Sequence, residues 1–281
     1  MTVARAPFGA RPVAGAASGR ATSRFASALG RVTAEQPPAL IAVAHGSRDP
    51  RSAATVSAVV AALAAARPDI DVRTAFLDLN APSVDQVVAS LAGQGHTHAV
   101  VTPLLLGSAF HARVDLPGLL DTAGTRHPQL RLTQADVLGS DSLLIGVLRD
   151  RVLAACDVEH ASPDRRIGVA VAAVGSSSAA ANARTAEVAA RLAARTGWLT
   201  EICFATTEPS VGEAISRLHA RGADHVLVAP WFLAPGLLTD RLLHAAPEAT
   251  HTDVLAPHPA LTAVVLDRYH AVLADTPALS A

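Results

Sequence analysis

Leu40-Ile41-Ala42-Val43-Ala44, followed directly by His45-Gly46-Ser47-Arg48-Asp49-Pro50, is the stretch of this sequence that decides the fold. The five apolar residues are typical of a strand that is buried on both faces. Asp49 then offers a helix N-cap, Pro50 suits the first helical position, and no helix breaker follows before Ala66. The stretch therefore predicts a buried strand, a short polar turn and a helix, which is how parallel α/β sheets begin.

The same alternation of apolar runs and Ala-rich stretches continues along the chain. It predicts α/β architecture, in which parallel strands are joined by right-handed crossovers and helices cover both faces of each sheet. Ser83 and Gln86 have the spacing of a capping box at the start of one helix. We predict strands at residues 40–44, 72–77, 99–106, 130–138, 167–174, 199–205 and 225–232, and helices that include residues 49–66, 116–123, 142–155 and 210–220.

An internal repeat divides the chain. Ala81-Pro82-Ser83-Val84 matches Glu208-Pro209-Ser210-Val211 at a shift of 127 residues, and the same shift brings His98 onto His225. The duplication predicts two similar lobes, each with a four-stranded parallel sheet, although eight strand–helix units also fit a TIM barrel. A polar linker favours the lobes. The predicted division is a disordered Ala/Arg-rich extension (1–38), an N-terminal lobe with the active site (39–156), the linker (157–166) and a degenerate C-terminal lobe (167–275).

The composition excludes several classes of function. The net charge is −1 and only 3% of the residues are aromatic, so we predict no nucleic-acid partner. All 23 basic residues are Arg, which excludes lysine nucleophiles and Schiff bases. Cys156 and Cys203 are far apart and are interpreted as ordinary thiols in a reducing compartment. No apolar run approaches the roughly 20 residues that span a bilayer. We therefore expect a cytoplasmic protein without a membrane partner, and we interpret the Arg-rich N-terminus as a disordered tail rather than a transit peptide.

Three polar residues of the first half follow predicted strands. They are His45, Asp78 and His111, and because functional side chains gather at the carboxyl ends of parallel strands, we expect them to converge. Shifts of 129 and 127 residues pair them with apolar counterparts in the second half: Val174, Ala205 and Leu238. Two imidazoles and a carboxylate suit a divalent first-row metal with open coordination positions, and imidazole also accepts protons. Insertion of a metal into a tetrapyrrole requires both properties, since two pyrrole N–H protons leave as the metal enters.

The sequence around these residues resembles the sirohydrochlorin chelatases, the class II chelatases of siroheme and cobalamin synthesis. The resemblance lies in residues 42–50 with their His-Gly-Ser turn, in 76–83, in 103–117 and, in the second half, in 229–236. It implies a two-lobed α/β chelatase that inserts metal without ATP. It also implies that His45 and His111 are catalytic and bind the metal, with Asp78 as a third ligand. Relatives with an acidic ligand usually carry Glu at that position, so we expect the shorter carboxylate of Asp78 to reach the metal only through water.

The expected substrate carries many carboxylates, which Arg side chains bind through paired hydrogen bonds. We predict that Arg48, Arg51 and Arg113 bind them, together with Ser47 and the backbone N–H groups that open the first helix. Solvated surface charge is an equally good interpretation of these Arg residues.

Two other motifs predict no separate site. His96-Thr97-His98 precedes its strand and so lies at the sheet edge opposite the expected site, which favours a structural role. Gly175-Ser176-Ser177-Ser178 lacks the Lys of a phosphate-binding loop and is interpreted as a degenerate copy of the His-Gly-Ser turn. A histidine phosphatase would need Arg before its His-Gly, where this chain has Ala44.

The sequence leaves the metal and part of the function open. Fe²⁺ and Co²⁺ are favoured over Ni²⁺, and we expect no cofactor other than the substrate metal ion. A non-catalytic carrier of metal or tetrapyrrole would use the same residues and stays an alternative. The expected partner is the tetrapyrrole substrate, and we predict a monomer because the duplication supplies both lobes within one chain.

Overall fold

The computed structural model describes residues 36–107, 114–156 and 166–274. Within the first half, strands and helices alternate: β1 (Ala39–Ala44), α1 (Pro50–Ala66), β2 (Val72–Phe76), α2 (Val84–Gly93), β3 (His98–Pro103), α3 (Leu116–Arg126), β4 (Arg131–Gln134) and α4 (Ser142–Ala155). The strands form one parallel sheet in the order β2-β1-β3-β4. Strand β1 is therefore central, and all six of its residues are buried, as the apolar run predicts.

The second half repeats this arrangement. Its elements are β5 (Ile167–Ala173), α5 (Ala179–Thr196), β6 (Leu199–Phe204), α6 (Val211–Ala220), β7 (His225–Pro230), α7 (Leu237–Ala245), β8 (Thr250–His251) and α8 (Pro259–Ala274). The strand order β6-β5-β7-β8 is the same as in the first sheet, and all pairs are parallel. The prediction of two similar α/β lobes is confirmed, and two separate sheets replace the TIM barrel alternative. None of the helices in the described ranges is long and apolar enough to cross a membrane.

Local sequence signals fix the helix starts. The Asp49 carboxylate accepts a hydrogen bond from the Arg51 backbone N–H at 2.9 Å and caps α1. Ser83 and Gln86 form the predicted capping box of α2. Strands β3 and β4 are shorter than predicted. Strand β4 is an edge strand that pairs only with β3, and this ladder ends where Gln134 lies opposite Val101.

The two faces of the first sheet pack into different apolar layers. On one face, Ile41 and Val43 of β1 pack with apolar residues of α2 and α3. On the other face, Leu40 and Ala42 join a larger core that contains residues of α1, α4 and α8 and continues into the second sheet. Helices therefore cover both faces of the sheet, and a single core connects the two halves.

The last helix of each half packs on the other half. Helix α4 contacts β7 and α5, whereas α8 contacts β3 and α1. Arg151 of α4 donates hydrogen bonds to the carbonyl oxygens of Leu255 (3.3 Å) and Pro257 (2.9 Å). Arg268 of α8 donates to the carbonyl of Leu138 at 3.2 Å, so equivalent residues make reciprocal contacts at a shift of 117 residues. The domain limits in the sequence stay a prediction, since residues 157–165 lie outside the described residues.

Candidate active site

His45 lies at the carboxyl end of the central strand β1, where its side chain is exposed. The turn that carries it is bonded to the end of β2: the Leu77 N–H donates to the Ala44 carbonyl at 2.9 Å, and the Asp78 N–H donates to the His45 carbonyl at 3.0 Å. Gly46 follows with φ = +98°, a conformation that favours glycine. The backbone of this turn therefore lies directly against the turn that carries Asp78.

Asp78 begins a tight turn at the end of β2. Its carboxylate accepts a hydrogen bond from the Leu79 N–H at 2.7 Å, and its carbonyl accepts one from the Asn80 N–H at 2.7 Å. Leu79 between them has φ = +63°, and it is the one non-glycine residue with positive φ in the described ranges. A hydrogen bond from residue i+2 to residue i around a positive φ defines a γ-turn of the rare, strained kind. The Asp78 carboxylate is exposed beyond this turn.

His45 and Asp78 line the same open pocket, which has a volume of about 530 Å³. Its other lining residues come from the end of β2 and from the start of α3: Leu77, Val114, Asp115, Gly118 and Leu119. The pocket combines an imidazole and two carboxylates with apolar side chains. This mixture of a few polar groups and an apolar lining is typical of small-molecule sites.

Asp115 is the site residue that sequence reasoning missed. It directly precedes α3, and its carboxylate shares the pocket with Asp78. The signal was present, because Asp115 lies within the third resembling segment and just before a helix that begins with Leu116-Pro117. Helices that follow parallel strands begin at the same edge of the sheet as the strand ends, so a polar residue at the start of α3 can reach the pocket.

The predicted metal ligands are brought together only in part by the described residues. His45 and Asp78 meet in the pocket, whereas His111 and Arg113 lie outside the described ranges. Within the described ranges, no three His, Cys, Asp or Glu side chains are arranged to hold a metal ion. The ligand set of two His and one Asp stays a prediction.

The predicted anion-binding residues differ in their surroundings. Arg48 is exposed and makes no hydrogen bond or ion pair with another residue of the described ranges. Arg51 instead donates to the Asp49 carboxylate at 2.5 to 3.1 Å and to Asp240 of α7 at 2.6 and 3.1 Å. The hydrogen bonds with Asp49 and then Asp240 raise the pKa of the Arg51 guanidinium. A substrate carboxylate would have to displace one of these partners from Arg51, whereas Arg48 can receive it directly.

Ser47 belongs to the turn rather than to open solvent. Its backbone N–H donates to the Asn80 Oδ1 at 2.6 Å, and its hydroxyl accepts from the Asp49 N–H at 3.1 Å. The hydroxyl hydrogen is still available to a ligand. Ser47 therefore connects His45 to both the γ-turn and the cap of α1.

A sequence profile of the CbiX family matches the chain over residues 39–155 and 168–272, which correspond closely to its two halves. The chain belongs to the CbiX family. The resemblance to sirohydrochlorin chelatases is thereby confirmed at the level of the family.

Relatives in the CbiX family include two proteins of Priestia megaterium, each 27% identical to this chain. One is a sirohydrochlorin cobaltochelatase, aligned over 71% of this chain and 65% of its own length. The other is a sirohydrochlorin ferrochelatase, aligned over 73% of this chain and 76% of its own length. A shorter sirohydrochlorin cobaltochelatase of Methanosarcina acetivorans is 29% identical over 40% of this chain and 92% of its own length. The chain thus matches slightly under two thirds of the first relative.

Solved structures of this family share the fold. SirB from Bacillus subtilis with Fe³⁺ superimposes with a TM-score of 0.73 at 23% identity, over 85% of this chain and 96% of SirB. The CbiX structure described as the terminal enzyme for biosynthesis of siroheme in denitrifying bacteria gives a TM-score of 0.61 at 22% identity, over 86% of this chain and all of that chain. At these identities the comparison establishes the two-lobed architecture alone.

In the described part of the second half of this CbiX-family chain, other residues stand at the positions of His45 and Asp78, and one of the predicted counterparts is wrong. Val174 occupies the position of His45, as predicted, since its carbonyl accepts from the next turn in the same way. The donor there is the Thr206 N–H at 3.1 Å, so the counterpart of Asp78 is Thr206 rather than Ala205. The repeat loses one residue between this turn and the following proline, which a constant shift cannot follow.

The pairing of His111 with Leu238 stays a prediction, since His111 lies outside the described residues. Leu238 is the second residue of helix α7, whereas His111 precedes α3, which begins at Leu116. The connection from β7 to α7 covers residues 231–236, and the one from β3 to α3 covers residues 104–115, so the first half is longer at this point. The stretch that contains His111 therefore has no full equivalent in the second half.

The other histidine motif lies where predicted, at the amino end of the sheet. His98 is the first residue of β3, and its Nε2 is 3.0 Å from the Thr133 hydroxyl. Burial lowers the pKa of His98, with a smaller effect from the nearby Arg131. The His96 Nε2 lies 3.2 Å from the Asp71 carboxylate. Both side chains have structural partners at the edge opposite the pocket.

Proposed function

We propose that the chain inserts a divalent metal ion, Fe²⁺ or Co²⁺, into sirohydrochlorin without ATP, in siroheme or cobalamin biosynthesis. The observation that carries the proposal is the pocket of His45 and Asp78 at adjacent strand ends, in a chain of the CbiX family. The curated relatives act with cobalt or iron, which supports these two metals equally.

His45 is proposed to receive the metal ion and to accept a proton. The exposed imidazole can bind a first-row divalent cation that still carries water, and it can take up a proton near neutral pH. Both steps are needed, because each metal ion that enters the macrocycle releases two pyrrole protons. We propose His111 as the second imidazole for the same two tasks.

The carboxylates of Asp78 and Asp115 would hold the cation loosely near the imidazole. Both line the pocket, and carboxylate oxygen binds divalent metals without the closed four-ligand set of a structural site. Loose binding suits a metal that must be released into the substrate. The Asp78 Oδ1 already accepts a hydrogen bond from the Leu79 N–H, so Oδ2 is the oxygen that is better placed to bind the metal.

The apolar part of the pocket is proposed to receive one face of the macrocycle. Val114 is half exposed and Leu119 is 40% exposed, and because both line the same pocket they offer an apolar surface to a ligand. Arg48, Arg113 and the Ser47 hydroxyl are proposed to bind the peripheral carboxylates. We assign Arg51 to the turn, since two carboxylates of the protein already occupy its guanidinium.

The test is anaerobic spectrophotometry of sirohydrochlorin with Fe²⁺, Co²⁺ or Ni²⁺ and a catalytic amount of protein. We expect multiple turnovers faster than the spontaneous reaction with iron or cobalt. His45→Ala should lower the rate roughly 100-fold or more, the scale of a lost acid–base group. His98→Asn, at the other end of the sheet, is the matched control and should keep the wild-type rate.

Three outcomes decide against parts of the proposal. Turnover by His45→Ala at the wild-type rate would show that the site is elsewhere. A shift that stops at one product per protein would indicate a metal or tetrapyrrole carrier. Fastest turnover with Ni²⁺ would refute the choice of iron or cobalt.

A further inference from the structure

Asn80 connects the two turns that carry His45 and Asp78. Its side-chain Oδ1 accepts a hydrogen bond from the Ser47 N–H at 2.6 Å, while its backbone N–H donates to the Asp78 carbonyl at 2.7 Å. Asn80 is half-buried and lies 33 residues from Ser47 in the sequence. This side chain thus adds a third link between the two strand ends, beside the backbone hydrogen bonds from Leu77 to Ala44 and from Asp78 to His45.

The chain reaches this arrangement through strained backbone. Leu79 adopts φ = +63° within the γ-turn, although its side chain is half exposed and gains no burial there. Strained backbone of this kind persists only when its surroundings enforce it, and it is concentrated at functional sites. The strain has a visible result: it turns the Asn80 side chain back toward Ser47 while the Asp78 carboxylate stays in the pocket.

The second half shows that the same amide can be bonded without this turn. Ser176 occupies the position of Ser47, and its N–H donates to the Oδ1 of Asn182 at 2.8 Å. Asn182 lies on helix α5, directly after the turn, and the first half has Ala53 at the equivalent helix position. The first half therefore replaces a local, unstrained hydrogen bond by one from the neighbouring strand end. It does so where His45 and Asp78 are present.

We propose that Asn80 is a positioning residue that holds the His45 imidazole at its working distance from the Asp78 carboxylate. The proposal rests on the proposed metal insertion. The NMR experiment below distinguishes a failure of that function from a failure of the positioning role of Asn80. Without the Asn80 Oδ1, the Ser47 N–H loses its partner, and the part of the turn after Gly46 loses its hydrogen bond to the γ-turn. Asn182 is the control, because its Oδ1 accepts from the equivalent amide of the second half, where its Nδ2 also donates to the Ser176 carbonyl at 2.8 Å.

The first test compares Asn80→Ala with Asn182→Ala in steady-state metal insertion and in urea unfolding. Loss of one neutral hydrogen bond corresponds to a factor of up to roughly tenfold. We expect Asn80→Ala to lower kcat about tenfold while KM for sirohydrochlorin changes less than twofold. Asn182→Ala removes two hydrogen bonds to Ser176, so it should lower the unfolding midpoint at least as much as Asn80→Ala and leave kcat unchanged. Asn80→Asp keeps the acceptor oxygen and should return kcat to within about threefold of the wild type.

If Asn80→Ala unfolds at the same urea concentration as Asn182→Ala and keeps the wild-type kcat, Asn80 has a structural role only, and the proposal is overturned. The second readout does not depend on turnover. The imidazole NMR signal of His45, assigned by its loss in His45→Ala, should shift or broaden in Asn80→Ala and stay in place in Asn182→Ala. If the wild type inserts no metal, the proposed function fails, and this signal alone decides the role of Asn80: an unmoved signal refutes it.

Discussion

Gly46→Ala tests whether close contact between the two turns places His45. At Gly46 a Cβ would lie 2.9 Å from the carbonyl carbon of Asp78 and closer still to its oxygen, while φ is +98°. Gly95 has a similar φ of +85° with nothing within 4 Å of a Cβ. The difference between Gly46→Ala and Gly95→Ala therefore isolates the contact from the cost of the left-handed backbone.

The magnitudes follow from these two terms. An Ala in the left-handed region costs about 1–2 kcal/mol, which is the whole expected loss of unfolding free energy for Gly95→Ala. At Gly46 the overlapping atoms belong to the backbone and cannot rotate away, so overpacking adds about 1–3 kcal/mol. The turn must also move by roughly 1 Å, and a displacement of that size near reacting groups costs about 100-fold in rate.

Urea unfolding and the metal-insertion assay measure both quantities. Gly175→Ala is the second control, because its Cβ would lie 2.9 to 3.0 Å from side-chain atoms of Thr206, Thr207 and Phe204, in the half that does not carry His45 and Asp78. We expect it to lose stability but not turnover. If Gly46→Ala unfolds like Gly95→Ala and turns over like the wild type, the contact with Asp78 does not place His45, and the reasoning is refuted.

Two further predictions concern stability. Burial lowers the pKa of His98 in the folded protein. As the pH falls below about 6.5, His98 is therefore protonated in the unfolded chain before it is protonated in the folded one. The unfolding free energy should therefore fall from pH 7 to pH 5, and His98→Asn should flatten this dependence in urea titrations at several pH values; an equal slope in both proteins would contradict it. Arg268 donates to two carbonyls and to Asp141, whereas Arg151 donates to two carbonyls. Arg268→Met should therefore cost about 2–3 kcal/mol of unfolding free energy and Arg151→Met about 1–2 kcal/mol, and the reverse order would refute the assignment of these contacts.

Much of the fold could be predicted because its causes are local. The run from Leu40 to Ala44 is apolar at every position, which identifies a central strand before any partner is known. Asp49-Pro50 and the Ser83 capping box start their helices through contacts within a few residues. The strand-end rule then placed His45 and Asp78 at one pocket without knowledge of the packing.

The remaining features depend on contacts between distant parts of the chain. The hydrogen bond from Ser47 to Asn80 and the ion pair between Arg51 and Asp240 join residues with no pattern that links them in sequence. A constant repeat shift also failed at Thr206, because a deletion of one residue in a turn changes the register without changing the strands. The packing of α4 and α8 on the opposite half could not be predicted either. Periodicity shows that a helix has an apolar face, but it does not show which sheet that face contacts.

The half without the polar pocket contributes to the site through these distant contacts. Helix α8 places Tyr269 in the shared core, and the tyrosine hydroxyl donates to the Pro38 carbonyl at 2.7 Å, directly before the strand that carries His45. Asp240 of α7 binds Arg51, whose partner Asp49 caps the helix after the His45 turn. The second half thus supports both ends of β1 and its turn. The second half has Val174 and Thr206 where the first half has His45 and Asp78, yet it makes these contacts, so its scaffold and the site of the first half form one structural unit.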